Sequence, residues 1–438
     1  MQQSKKIITN ATWIIGCRIA QAIASFLVSI FTARFLGPSN YGLINYAASV
    51  ISFVIPIAQL GLGNIQVQEL IDHSDEEGSI VGTSLLLSIV SSIACIIGVT
   101  VFTFLVNAGE EETIIVVSLY SIILFFQGAD LMHYWFQAHY ISKYASLTSF
   151  VAFIIVSGYR VLLLVTGASI YWFAISNAFD SLLILIALLY IYHRLGGQKI
   201  RFSSNVATRM IHKSKYYIIA NMMVAVFTQT DRLMLKLMLT DSATGYYAVA
   251  ASFAGIANFV FVAIIDSVRP AIFQNKKRDH KQYERTVSQL FCIIIYLTFI
   301  VSVVITILAP YLVRYTYGGT YYPSINVLRV LAWYTIGSYI GSVRNVWILA
   351  EGKQSYVWKV NIIGALSNVI LNYILIPIWG ATGAALASVI TQLFTNVIST
   401  YMIKALRPSI KLMINGLNPR YIHEFIDSMK NNINRKKK

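Results

Sequence analysis

The sequence predicts an all-α polytopic membrane protein, with about twelve transmembrane helices in two six-helix bundles related by a pseudo-twofold axis along the membrane normal. Three observations carry this expectation. First, 57% of the 438 residues are apolar and only 12% are charged, where a soluble domain carries roughly 45–50% and about 25%. Second, the apolar residues gather into runs long enough for a span, which needs about 20 residues. Third, lysine and arginine segregate to alternate connections between those runs. This composition excludes a soluble enzyme, a secreted disulfide-stapled domain and a transcription factor.

The runs place spans at 12–36, 43–67, 79–106, 113–138, 144–166, 169–193, 216–239, 245–270, 288–312, 325–350, 358–376 and 381–404. The first follows Lys5 and Lys6 and exceeds the 7–15-residue core of a signal peptide, so it reads as a retained span. With the N-terminus inside, 25 Lys and Arg fall in the inside segments and only Arg314 in the outside ones. That bias fits both termini in the cytoplasm, and it accounts for most of the formal net charge of +16 without invoking nucleic acid. The expected organisation is an N-terminal bundle over 1–200, a basic cytoplasmic linker over 201–215, a C-terminal bundle over 216–405 and a basic tail over 406–438. The tail reads as solvated, with anionic lipid head groups or a partner as the alternative. The acidic outside loop 107–112 reads as solvated too. No phosphate-binding G-x-x-x-x-G-K-[ST] loop is present, so the sequence encodes no ATPase engine. Cys17, Cys95 and Cys292 lie in apolar stretches without metal-ligand spacing and read as packing residues.

The halves repeat in the same orientation. At an offset of 203, Leu36, Ser39, Gly42, Ala47, Ala48 and Ser49 meet Leu239, Ser242, Gly245, Ala250, Ala251 and Ser252; at an offset of 213, Gly167, Ala168 and Ala174 meet Gly380, Ala381 and Ala387. Transporters built from such parallel repeats hold their site at the repeat interface.

Eight basic residues fall within spans: Arg18, Arg34, Arg160, Arg232, Lys236, Arg269, Arg329 and Arg344. Four acids join them: Asp130, Asp180, Asp231 and Asp266. Each costs about 2.5 kcal/mol or more at the bilayer centre unless it pairs, snorkels or faces a cavity. Lys236 and Arg269 read as snorkelling residues, Asp266 as an i, i+3 partner of Arg269, and Arg34 as structural. Arg18, Arg160, Arg232 and Arg344, with Arg329 further out, are the candidates for a cationic substrate cavity. Asp130, His133, Asp180 and Asp231 are candidates for proton or sodium-ion coupling, or for plain counterions; His133, a lone His on a polar helix face, reads first as a hydrogen-bonding residue. Polar residues also recur at helical spacing: Arg18, Gln21, Ser25, Ser29 and Thr32; Asn45, Ser49, Ser52, Pro56 and Gln59; Gln127, Asp130, His133 and Gln137; Asn361, Asn368 and Asn372. Such lines either mark a cavity or hydrogen-bond neighbouring helices. No metal site or cofactor is expected, and an Asp130–His133 acid/base pair lacks a nucleophile to make an enzyme.

Three segments carry a family resemblance. They are Ala33-Arg34-Phe35-Leu36-Gly37-Pro38 with Tyr41-Gly42 and Gly61-Leu62-Gly63; Asp231-Arg232 with Gly245-Tyr246-Tyr247-Ala248 and Arg269-Pro270; and Asn372, Ile376-Pro377, Gly380 and Gly383-Ala384-Ala385-Leu386-Ala387. In this order the chain resembles bacterial oligosaccharide flippases of the O-antigen and capsule type, in the multidrug/oligosaccharidyl-lipid/polysaccharide exporter superfamily. The resemblance implies a V-shaped two-bundle transporter in the bacterial inner membrane. It would move an undecaprenyl-pyrophosphate-linked oligosaccharide repeat unit to the outer leaflet by alternating access through a cationic cavity, among membrane lipids and other polysaccharide-assembly membrane proteins. It implies motif roles for Arg34, Gly37, Pro38, Gly42, Gly245, Pro270, Pro377 and Gly380, but assigns no substrate residue. A multidrug cation exporter of the same fold, or a membrane-embedded polymerase or glycosyltransferase, is the alternative.

Overall fold

In the computed structural model, residues 2–256, 258–421 and 424 are described, and they are overwhelmingly helical. The first unit, residues 1–245, contains α1 (Gln2–Ala58), α2 (Leu62–Asp72), α3 (Glu77–Val106), α4 (Glu111–Ser121), α5 (Gly128–Ala138), α6 (Ser142–Val165), α7 (Ile170–Arg194), α8 (Ser204–Met238) and the start of α9 (Asp241–Ile256). The second, residues 246–438, holds the rest of α9, then α10 (Asn258–Arg278), α11 (His280–Thr316), α12 (Ser324–Leu331), α13 (Tyr334–Ala350), α14 (Val357–Leu393), α15 (Thr400–Met402) and α16 (Arg407–Asn415).

The helices carry an inverted amphipathicity. Down one face α3 buries Ser84, Ser88, Ser92 and Thr103, while it exposes Val90, Ile97, Val101, Phe104 and Leu105. Large apolar side chains on the outside and hydroxyls inside suit a helix whose solvent is hydrocarbon, because an unsatisfied polar group there costs several kcal/mol. The protein is a multi-pass membrane protein. Among the described residues, seven helices are long and apolar enough to cross, and the bent α9–α10 pair, taken as one span, makes an eighth.

That number falls short of twelve for identifiable reasons. α1 and α14 each run through two expected spans, broken only at Gly37 (φ 73, ψ 173) and Gly380 (φ 58, ψ −137). Only glycine adopts these angles readily, so each of α1 and α14 is two helices joined across a kink at the expected turn. α8 carries Asn221, Gln229, Asp231, Arg232 and Lys236, and α12 and α13 are short segments of 8 and 17 residues.

The first unit packs around two apolar clusters. One joins Leu43, Tyr46 and Val50 of α1 to Val116 and Val117 of α4 and Ala174 of α7. The other joins Leu62 of α2 to Trp135 and Phe136 of α5, Tyr192 of α7 and Met210 of α8. α8 belongs to this unit because it packs along α1. At one end the two glycines of the sequence repeat meet: a Cβ on Gly42 would overlap the Asp241 carbonyl oxygen, and one on Gly245 would overlap that of Pro38. The repeat is therefore a close backbone crossing.

At the other end the start of α8 is held by charge. The Glu69 carboxylate, fully buried, accepts from Arg209 Nε (2.7 Å) and Lys213 Nζ (2.6 Å), and Arg209 also donates to Glu76 (2.5 Å). The segment before α8 lies along α3, with Arg201 N donating to Gly78 O (3.1 Å) and Ser203 N to Thr83 Oγ1 (3.0 Å). In the second unit, α10, α11, α13 and α16 share a core around Phe261, Phe291, Trp347 and Met413. Cys95 and Cys292 are buried thiols within the packing, as their apolar settings suggest.

Two outcomes follow. Gly42→Ala should cost about 1–3 kcal/mol by overpacking, seen as a lower melting midpoint, whereas Gly98→Ala, which meets open space, should cost nothing. Burial would raise the Glu69 pKa, but the hydrogen bond and charge of Lys213 and the charge of Arg209 outweigh it and hold the carboxyl below its ordinary range. Its stabilising contribution is then complete above the ordinary carboxylate pKa, about 4.3, and is lost as pH falls through the depressed folded value. Melting curves from pH 7 down to about pH 2 should show this loss in wild type only below about pH 4.3, and Glu69→Gln should start lower and lack that component.

Candidate functional site

The polar lines of three helices converge on one cavity in the first unit. It measures about 770 Å³ and is lined by Cys17 and Gln21 of α1, Gln59 just beyond that helix, Asp130, His133 and Gln137 of α5, and Ser142, Ser146 and Ser149 of α6. Helical periodicity places these groups: 130, 133 and 137 share one face of α5, and 142, 146 and 149 one face of α6. Gln59 ties the lining together, its Nε2 donating to Gln127 Oε1 (2.7 Å) and Asp130 Oδ2 (2.9 Å). His133 Nε2 lies 3.2 Å from Ser149 Oγ. Amides, hydroxyls and one carboxylate supply both donors and acceptors, a set that matches sugar hydroxyls. Asp130 also gives the lining an anionic group.

A second polar cluster lies deeper along the sequence. Arg160 on α6 donates from Nε to Ser176 Oγ (2.9 Å) and from Nη2 to Asn177 Oδ1 (2.8 Å), both on α7. Asp180, one turn further on α7, is within electrostatic reach of Arg160, and its Oδ1 is buried without a hydrogen-bond partner. Tyr120 of α4 lies within electrostatic reach of both Arg160 and Arg232. Arg232 on α8 donates to Gln229 Oε1 (3.2 Å), which also accepts from Ser49 Oγ (3.2 Å), and its Nε is buried without a partner. Arg160 and Arg232 thus both lie within electrostatic reach of Tyr120 from two helices, and the Arg232 Nε is uncommitted.

Asp231 is buried. Arg34 and Arg329 are exposed. Arg344, in the second unit, is buried and donates to Thr395 O (3.3 Å), Thr400 Oγ1 (3.0 Å) and Asn345 Oδ1 (3.0 Å). The side chain of Arg18 lies outside the described residues. Asp266 and Arg269 pair at 2.8 Å, as their spacing suggests. Much of the Asn45–Ser49–Ser52 line turns out to be satisfied by the carbonyls of its own helix. The Asn368–Asn372 pair bonds internally at 3.1 Å.

Two sequence expectations are corrected. Lys236 does not snorkel: it is 8% exposed and pairs with Glu110 (2.7 Å) and Asp241 (2.8 Å). Glu110, expected to be merely solvated, therefore joins the α3–α4 connection to α8. Asn107, which accepts from the Tyr46 hydroxyl (2.9 Å), and Thr113 Oγ1 (2.8 Å) support Glu110 from the connection itself. Partial burial would raise the Glu110 pKa, but the hydrogen bonds of Lys236 and Thr113 outweigh it and hold the carboxyl below its usual range. The sequence carries no sign of this pairing, because the partners are 126 positions apart and no local pattern links them.

The ion pair generates a prediction. Lys236→Met and Glu110→Gln should each lower the melting temperature, and the double variant should lose less than their sum, with a coupling on the order of 1 kcal/mol. Additive losses would mean that the two side chains do not stabilise each other.

Comparison with known proteins agrees with this architecture. A family profile described as polysaccharide biosynthesis protein matches residues 7–276. A capsular polysaccharide biosynthesis protein of Staphylococcus aureus, CapF, is 21% identical over 411 residues, covering 90% of this chain and 98% of that protein. Among solved structures, the lipid II flippase MurJ in an inward closed conformation aligns with a TM-score of 0.73 at 16% identity, over 92% of this chain and 90% of its own. An inward-facing multidrug resistance MATE family transporter of the MOP superfamily aligns with a TM-score of 0.69 at 13% identity, over 89% and 96%. The fold is that of the MOP transporters.

Proposed function

Because this chain belongs to the polysaccharide biosynthesis protein family, we propose that it is a flippase for undecaprenyl-pyrophosphate-linked oligosaccharide repeat units, carrying them from the cytoplasmic to the outer leaflet of the bacterial inner membrane. The observation that carries the reading is the cavity of about 770 Å³ lined by amides and hydroxyls, inside helices whose outer faces are apolar. That volume lies within the range of small-molecule sites, about 300–1,000 Å³. Sugar hydroxyls exchange hydrogen bonds with Gln21, Gln59, Gln137 and the serines of α6. The pyrophosphate takes charge-assisted hydrogen bonds from Arg160 and Arg232, with Arg18 as a third donor. The polyprenyl tail stays in the bilayer. The cycle is one of translocation, with no bond made or broken, so the protein acts as a transporter rather than an enzyme.

Alternating access requires contacts that form and break. On the orientation implied by the basic connections, the Glu110–Lys236–Asp241 cluster and the Gly42–Gly245 crossing lie at the outer end of the first unit, and Glu69 with Arg209 and Lys213 lies at the cytoplasmic end. Opening outward releases the first set, while the second keeps the start of α8 attached. Asp130, beside His133 in the cavity, is the candidate for a coupling proton or sodium ion.

One observation favours a second reading. Asp130 places a carboxylate in the cavity lining, the feature expected of a multidrug cation exporter.

Leaflet-resolved translocation in proteoliposomes separates the two. Wild type should move a polyprenyl-pyrophosphate oligosaccharide, and Arg160→Ala and Arg232→Ala should each reduce the rate about tenfold or more, the scale of one lost charge-assisted hydrogen bond. Export of lipophilic cations without movement of any such lipid, and loss of that export in Asp130→Asn, would favour the exporter.

A further inference from the structure

Arg344 is a buried cation of the second unit. Its side chain is 3% exposed, and no carboxylate lies within ion-pairing distance among the described residues. Its Nη atoms bond Thr395 O, Thr400 Oγ1 and Asn345 Oδ1, and its Nε has no partner. A guanidinium in so apolar a setting keeps its charge, and an unpaired buried charge costs several kcal/mol. Some counter-charge is therefore needed.

The surroundings show what kind. Arg344 lies against the end of α14, where Phe394–Ser399 form a π-helical turn. The hydroxyls of Thr391, Thr395 and Ser399 step along that segment at four-residue intervals, all buried and all without a hydrogen-bond partner. A regular α-helix lets such hydroxyls fold back onto carbonyls four residues earlier; here Thr395 O is already taken by Arg344 and by Thr400 Oγ1 (3.1 Å). The site thus combines one fixed positive charge with three uncommitted donors, the Arg344 Nε and the hydroxyls of Thr395 and Ser399, and with no carboxylate partner among the described residues. It is also narrow. A Cβ on Gly341 would press on the Asn396 side chain and one on Gly337 would lie 2.7 Å from Gln392 Cβ, so α13 and α14 are in close contact beside it.

We propose that Arg344, with the hydroxyls of Thr395 and Ser399, binds a monovalent anion of the halide class inside the second unit. One guanidinium balances one negative charge, hydrogen-bond donors replace the anion's hydration shell, and the close helix contact excludes larger polyatomic anions. The inference is independent of the transported substrate, because it concerns a resident ion in the helix packing.

The test is thermal unfolding of the purified full-length protein in detergent at fixed sodium concentration and ionic strength, with chloride, bromide or gluconate as anion. Chloride and bromide should raise the melting temperature saturably relative to gluconate, and Arg344→Gln should abolish the difference. Thr395→Val and Ser399→Ala, which keep the guanidinium, should raise the half-saturating halide concentration about threefold or more, the scale of one lost hydrogen bond. Crystals grown in bromide should show an anomalous peak beside Arg344. Identical melting in all three salts, or a halide dependence that survives in Arg344→Gln, overturns the proposal. If Arg344→Gln does not fold, unchanged half-saturation in both hydroxyl variants overturns it equally.

Discussion

A hydrocarbon surrounding offers no partner for a polar group, and the arrangement of this chain depends on that fact. Backbone groups are satisfied within helices, and side-chain polar groups turn toward one another inside the units. The consequence is visible in α3, where Ser84, Ser88, Ser92 and Thr103 face inward while Val90, Ile97, Val101 and Phe104 face out. Burying those apolar groups would gain nothing in lipid, so close packing and polar contacts hold the helices together. The Gly42–Gly245 crossing supplies the first kind of contact, and the Lys236, Arg209 and Arg160 networks supply the second.

α8 shows how these contacts divide the work. Along its length it packs on α1, yet its specific attachments are polar: Arg209 and Lys213 to Glu69 near its start, Gln229 to Ser49 in its middle, and Lys236 to Glu110 near its end. Buried ion pairs contribute less to stability than their geometry suggests, because desolvation offsets the attraction. What they do provide is a defined position, since a slip of the helix by one residue would leave each charge unpaired.

The candidate site was legible in the sequence to different depths. The lines through Gln59 and through Asp130, His133 and Gln137 follow from helical periodicity alone, and they do meet in one cavity. The line through Asn45, Ser49 and Ser52 is just as regular, but those side chains largely bond their own backbone, an outcome periodicity cannot distinguish. Arg160 and Arg344 looked alike as intramembrane arginines. The structure separates them: Arg160 has Asp180 and Tyr120 nearby, and Arg344 lies in a helix contact beside a π turn.

By itself the sequence determined the membrane setting, the all-helical fold, the repeat that pairs Gly42 with Gly245, and the roster of intramembrane charges. These are properties of composition and short-range periodicity, which each segment carries alone. Tertiary structure decided which charges are partnered and which face a cavity. Lys236 looked like a snorkelling residue and Glu110 like a solvated one until folding set them 2.7 Å apart, and Glu69 gained its role only when α8 began beside it. Such pairings join positions more than a hundred residues apart, and no local pattern encodes that distance.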